Sequence, residues 1–267
     1  MEVLEELKNT VILGDCLEKM QDIPDKSIDM ILCDLPYGST IQEWDKIINV
    51  ELLWQEYERI RKEFCPIVLF GTEPFSSLLR VSNLSNFRYD WIWHKSKPSG
   101  MALAKKQPMR NHEIISIFYK GNYCPIKEAR QGFTEKSIKR FTGGENLGSY
   151  KNHGDSTTGL TGTNLKKIEA LRYPTTIKQF GSLKNRLGKN LHPTQKPVDL
   201  FEYLIKTYTN EGDLVLDNCI GSGTTAIAYI NLKRNFIGIE KEQKYVDIAN
   251  KRIKDLPERL NLELEEE

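Results

Sequence analysis

The sequence predicts an α/β protein built on a mainly parallel sheet with helices on both faces. Three observations lead there: short apolar runs that end at an acid or a glycine turn, amphipathic stretches of helical period between them, and one segment, Asp213 to Ile230, that reads as strand, turn and helix in succession. In that segment Leu214, Val215 and Leu216 form the continuous apolar run of a strand covered on both faces. Gly221 and Gly223 then permit a tight turn and close backbone approach to a ligand, and Thr224 to Ile230 continues as a helix whose first amides face the same crevice. Phe236 to Glu240 follows as a second apolar strand. A strand, glycine turn, helix and strand closing on a carboxylate make half of a nucleoside-binding sheet, with the acid placed to grip ribose hydroxyls. Only two of the three glycines of a dinucleotide fingerprint are present, so a pyrophosphate ligand is not indicated, and a plain turn is the competing reading.

The remaining elements fall in order around this segment. Val11 to Asp15 reads as a strand closing on an acid, and Cys16 to Gln21 as a brief helix. Ser27 to Cys33 is a second buried strand that runs into Asp34-Leu-Pro-Tyr-Gly38. Glu51 to Phe64 carries Leu52, Leu53, Tyr57, Ile60 and Phe64 at helical spacing, and Pro66 is the expected stop. Ile67 to Gly71 is a strand, Pro74 to Leu84 a helix, and Tyr89 to His94 and Asn111 to Tyr119 two more strands. Residues 121–190 then lose all period. They are too long for an ordinary connection and read as a functional insertion, in which Phe133, Phe141, Tyr150, Tyr173 and Phe180 stand among basic residues. Order returns at Leu191, and Val198, Phe201, Leu204, Ile205 and Tyr208 form an amphipathic helix with Pro197 in its first turn. A last helix carries Tyr245, Ile248, Ala249 and Ile253 on one face.

A chain of 267 residues suits one main domain with an elaboration. The 38 basic and 37 acidic residues balance, so whole-chain charge names no partner. The insertion differs: residues 121–190 hold 13 Lys or Arg against 5 Asp or Glu, a net charge of +8 that suits a polyanion. Five cysteines without a C-x-x-C spacing argue against a disulfide framework or zinc site, and no metal is expected. The N-terminus lacks a secretory pattern and no apolar run reaches membrane-spanning length, so a cytoplasmic protein without a membrane partner is expected.

Asp34-Leu35-Pro36-Tyr37 places a carboxylate, a rigid turn and an aromatic ring at a strand end, where open sheets hold ligands. These parts suit transfer to an exocyclic amine such as that of adenine, whose lone pair is delocalised into the ring. Two acceptors on the amine hydrogens, the Asp34 carboxylate and the Leu35 carbonyl held by Pro36, would make that nitrogen more tetrahedral, and Tyr37 would stack on the base. A base inside a duplex must first be flipped out. A strand-ending turn without chemistry is the competing reading.

Asp34-Leu-Pro-Tyr37 resembles the Asp-Pro-Pro-Tyr catalytic motif, and Asp217 to Gly223 the Phe-x-Gly-x-Gly donor motif, of the S-adenosylmethionine-dependent amino-methyltransferases of DNA. His192-Pro-Thr-Gln-Lys-Pro197 resembles the segment before the helix that flanks the donor. Their order, catalytic motif first, is that of the permuted group. The resemblance implies a Rossmann-like, mostly parallel seven-stranded sheet. It assigns residues 1–120 and 191–267 to the catalytic domain and 121–190 to an inserted target-recognition region. It also implies S-adenosylmethionine as donor, with Asp217, Gly221, Gly223 and Thr224 about its methionine part, Glu240 on its ribose, and Asn218, Cys219 and Ser222 also among its contacts. Asp15 and Cys16 would meet its adenine, Thr194 and Lys196 its carboxylate end, and Asp34 would border both ligands. Plainer roles compete: helix caps for Asp15 and Thr194, a solvated side chain for Lys196, a turn residue for His192. Two departures stand out, Leu35 for the usual proline and Cys219 where the family often has Phe.

Within the insertion, Arg130, Lys136, Lys139 and Arg140 are the candidate phosphate contacts. The function expected is adenine-N6 methylation of double-stranded DNA at specific sites, as in restriction-modification. Asp34, where other members carry Ser, favours adenine; cytosine-N4 methylation is the first alternative and a catalytically silent DNA-binding protein the second. The resemblance leaves room for a homodimer and for a cognate restriction endonuclease.

Overall fold

The computed structural model describes residues 2–38, 45–129, 171–181 and 196–256. Helix α1 (Glu2–Leu7) leads into β1 (Thr10–Leu13), α2 (Cys16–Met20) and β2 (Met30–Cys33). Helix α3 (Val50–Ile60), β3 (Ile67–Gly71), α4 (Phe75–Ser82), β4 (Phe87–Ser99) and β5 (Arg110–Phe118) follow. Beyond a short pair, β6 (Glu128–Ala129) and β7 (Leu171–Arg172), come β8 (Ile177–Phe180), α5 (Val198–Tyr208), β9 (Leu214–Asp217), α6 (Thr224–Asn231), β10 (Asn235–Glu240) and α7 (Gln243–Lys254).

Eight strands form one sheet in the order β1, β10, β9, β2, β3, β5, β4, β8. Only β5 runs against the rest. The expected seven strands gain an eighth, β8, which pairs with β4 from Ile92↔Ile177 to Lys95↔Phe180. The chain divides into Met1–Cys124 with Thr176–Glu267, and Pro125–Thr175. The last strand of the span read as insertion, 121–190, is therefore part of the main sheet. Phe180 packs into its core, and Lys178 is buried against the rings of Trp91 and Tyr203. In the smaller unit β6 and β7 pair antiparallel, and Tyr173 is exposed beside Lys127. Phe133, Phe141 and Tyr150 lie outside the described residues.

Both sheet faces are covered, and successive side chains of a strand enter opposite cores. Ile31 and Cys33 pack with Leu53, Tyr57 and Ile60 of α3, whereas Met30 and Leu32 pack with Leu200, Phe201, Leu204 and Ile205 of α5. Trp91 and Trp93 are core residues too. Helix α3 ends at Ile60, ahead of Pro66, because Arg61 turns extended and bridges Ile28, with the Lys62 amide donating to the Ile28 carbonyl at 2.9 Å. Phe64 and Leu52, assigned to its buried face, are exposed. Helix α7 buries Val246 and Ala249. Pro197 stands extended just before α5 rather than inside it.

Candidate active site

Strand β9 feeds α6 and β10 on one side, while β2 feeds α3 and β3 on the other. The chain order thus reverses between β9 and β2, and a crevice opens beyond the carboxyl ends of strands at such a switch point. The two strands are parallel neighbours with Met30 opposite Val215 and Ile31 opposite Leu216. Asp34 and the glycine turn, far apart in sequence, therefore leave the sheet side by side. Gly14-Asp15 and Glu240 end the next strands along the same edge, since Leu13 pairs with Glu240.

On the β9 side the turn is held by its own acid. Asp217 is buried and accepts from the Cys219 amide at 3.1 Å and from the Thr225 hydroxyl. Burial pushes its carboxyl up to about 7, against the pull of these donors. Gly221 has φ +54 and a Cβ there would meet open space, so a ligand can reach the backbone. Gly223 has φ +78, and a Cβ would come within 2.8 Å of Ala249 on α7. Glu240 accepts from the Gly221 amide at 2.9 Å and the Glu242 amide at 2.9 Å, which ties the end of β10 to the turn; burial raises its carboxyl. Asn218 is buried and accepts from Tyr57 Oη at 2.6 Å. Ser222 and Thr224 are buried beneath the turn, where Arg252 Nη1 donates to the Ser222 carbonyl at 2.6 Å and Thr224 Oγ1 at 3.2 Å. Asp15 caps α2, accepting from the Leu17 amide at 2.9 Å. Cys219 meets Cys16 and Cys33. Contact with Cys16 favours its thiolate, but contact with Cys33 and burial prevail and raise it, while burial pushes Cys33 up to about 12. At neutral pH these sulfurs are thiols.

On the β2 side Asp34 keeps its side chain 26% exposed and receives two donors, the Tyr37 hydroxyl on Oδ1 and the Lys196 ammonium on Oδ2. Leu35 turns its side chain into the core. Asp45, a buried acid not anticipated from sequence, accepts from the Gly38 amide at 2.9 Å and closes the turn. The ring of Tyr37 packs on Phe75 at 5.3 Å; burial and the Asp34 charge hold its hydroxyl far above the ordinary range.

Lys196, which the sequence resemblance puts at the donor's carboxylate end, here donates to the Asp34 carboxylate. Its ammonium also lies 3.3 Å from Glu113 Oε2, and Glu113 Oε1 accepts from Lys95 at 2.9 Å. Asp34, Lys196, Glu113 and Lys95 form an alternating chain of charges. Burial opposes the charges of Glu113 and Lys196, yet their partners prevail: Glu113 is held below the usual carboxylate range and Lys196 above the usual amine range. Sequence reading missed Glu113; its signal was an acid in the otherwise apolar run His-Glu-Ile-Ile-Ser-Ile-Phe. Thr194, His192, Arg130, Lys136, Lys139 and Arg140 lie outside the described residues.

Fold and site define a doubly wound α/β protein whose switch point sets a glycine turn beside a carboxylate-bearing turn. The chain belongs to the DNA methylase family, whose model matches residues 28–251, and is a DNA methyltransferase. It is 28% identical over 283 aligned residues to the type II methyltransferase M.HinfI of Haemophilus influenzae, spanning 96% of this chain and 71% of that one. Among solved structures, the M1.HpyAVI complex with SAM superposes with a TM-score of 0.60 at 24% identity, covering 91% of this chain and 98% of that one. The cytosine-N4-specific PvuII DNA methyltransferase gives 0.60 at 16% identity, covering 93% and 91%. Among the described residues no helix is long and apolar enough to cross a membrane.

Proposed function

We propose that the protein transfers a methyl group from S-adenosylmethionine to the exocyclic N6 of an adenine flipped out of duplex DNA. One observation carries this reading: the partly exposed Asp34 carboxylate leaves β2 at the switch point, directly beside the β9 glycine turn. The crevice residues fit the donor. Gly221 leaves room at the backbone, Glu240 stands at the end of β10 for ribose hydroxyls, and the acidic edge formed by Asp15, Asp34, Asp217 and Glu240 suits a ligand bearing a sulfonium and an ammonium. When bound, the donor supplies an electrophilic methyl on sulfur.

The chain's part is to prepare the amine. Asp34 accepts one amine hydrogen and the Leu35 carbonyl the other, turning the nitrogen lone pair toward the methyl. Methyl passing from the donor's sulfur to that nitrogen would leave the nitrogen with one proton too many, which Asp34 would take and pass to water. Tyr37 and Lys196 hold the carboxylate in place. The part of the insertion outside the main unit, residues 125–175, is proposed to supply target recognition.

Incubating the chain with labelled donor and unmethylated DNA, then digesting to nucleosides, tests this reading; label in N6-methyl-2′-deoxyadenosine is expected. Label in N4-methylcytosine alone would favour the second reading, which the PvuII likeness supports. Asp34→Ala is expected to cut turnover at saturating donor by at least about 100-fold. Undiminished methylation by that variant would remove Asp34 from the mechanism.

A further inference from the structure

Between Asp90 and Glu113 the sequence contains no acid, while Lys95, Lys97, Lys105, Lys106 and Arg110 are all basic. The fold makes this stretch an arm. Strand β3 pairs with β5 only as far as Gly71↔Ile114, yet β5 begins at Arg110, four residues beyond. At about 3.3 Å per residue, the β4–β5 hairpin runs about 13 Å past its neighbour before it turns at Gly100. On the other side β8 accompanies β4 no further than Lys95.

The direction matters. Strand β4 runs parallel to β2 and β3, because β5 is antiparallel to both β3 and β4. The arm therefore leaves the sheet at the edge that carries Asp34. Residues 96–108 are all exposed. Among the described residues no carboxylate pairs with Lys97, Lys105 or Lys106, and Arg110 meets only the neutral Glu73 carbonyl at 3.4 Å. Near the tip, Met101 is 74% and Leu103 47% exposed, an apolar surface of the kind a groove's sugar edges can cover. At the root, Lys95 is fixed by Glu113, which also holds the Lys196 partner of Asp34.

We infer that the β4–β5 hairpin is a duplex-gripping arm, with Lys97, Lys105 and Lys106 on the phosphates flanking the base presented to Asp34. The inference rests on the DNA reading above and adds a contact surface outside residues 121–190. An uncompensated cationic arm beside the catalytic carboxylate draws the polyanion toward an edge whose own acids repel it.

The test is the salt dependence of binding to a mixed-sequence duplex, read by fluorescence anisotropy on the full chain. Three phosphate contacts contribute about 2.7 to the slope of log affinity against log salt. The K97Q/K105Q/K106Q variant is expected to lose about that much slope and at least about tenfold in affinity near 0.1 M salt, with S-adenosylmethionine affinity unchanged. A matched control, K233Q/K251Q/K254Q, removes the same charge from the opposite edge and the end of α7 and should keep the wild-type slope. An arm variant that binds like wild type, or a control that loses as much, overturns the arm. Failure of the wild-type chain to bind any duplex at low salt overturns the DNA reading first, and the arm with it.

Discussion

Asp217 offers a sharp test of how the glycine turn is built. Its carboxyl is buried, and burial lifts it from an ordinary 3.8 to about 7. In the unfolded chain it ionises near 3.8; in the folded chain it keeps its proton until about pH 7. The folded state therefore binds more protons between these values, and this group's contribution to stability falls as pH rises through that window, levelling above 7. At about 1.4 kcal/mol per unit the full loss is about 4 kcal/mol, of which somewhat more than half falls between pH 5 and pH 7.5. Asp217→Asn removes the titration and keeps the shape, since an amide oxygen still accepts from the Cys219 amide and Thr225 can turn its hydroxyl to accept. Urea unfolding of both proteins at the two pH values should show the variant gaining roughly 2–3 kcal/mol on wild type as pH rises. A ligand carrying positive charge into this crevice prefers the ionised acid. Donor affinity of the wild type should therefore weaken about tenfold from pH 8 to pH 6, and that of the variant should stay flat. A stability difference that is the same at both pH values would refute the buried, protonated Asp217.

Three further outcomes are expected. Glu113→Gln leaves Lys95 and Lys196 sharing one fewer buried carboxylate. It should cost about 3 kcal/mol of stability and lower kcat with little change in donor affinity, measured by urea titration and steady-state kinetics. Gly223→Ala meets both a left-handed φ of +78 and the Ala249 Cβ at 2.8 Å, so Tm should drop by a loss of about 2 kcal/mol or more; a wild-type Tm would contradict the close packing of α6 on α7. Tyr57→Phe strips the buried Asn218 oxygen of its 2.6 Å donor and should cost about 1–3 kcal/mol by chemical denaturation.

Much of this was legible in the amino-acid order because local chemistry states it. Apolar runs such as Ile67 to Phe70, short and bounded by Pro and Gly, read as strands covered on both faces, and Gly221 and Gly223 mark a turn where the backbone leaves the usual region. Asp34 and Asp217 were visible because each ends such a run. The ends of α3 were less legible. Nothing near Arg61 announces that it will pair with Ile28, a partner more than thirty residues away, so Phe64 was assigned to a face that does not exist. The eighth strand was equally hidden, because Ile177 to Phe180 takes its strand character from pairing with β4.

The sequence by itself determined the class of fold, the strand ends that carry chemistry and the order in which they occur, since each depends on residues adjacent in the chain. Only the tertiary structure decided that Lys196 pairs with Asp34 and Glu113, that Asp15 caps a helix, and that the basic stretch after Trp93 extends from the sheet at the edge that carries Asp34. These are relations between side chains brought together by sheet order. A charge acquires its meaning from the groups that burial forces it to face, and no spacing along the chain specifies those.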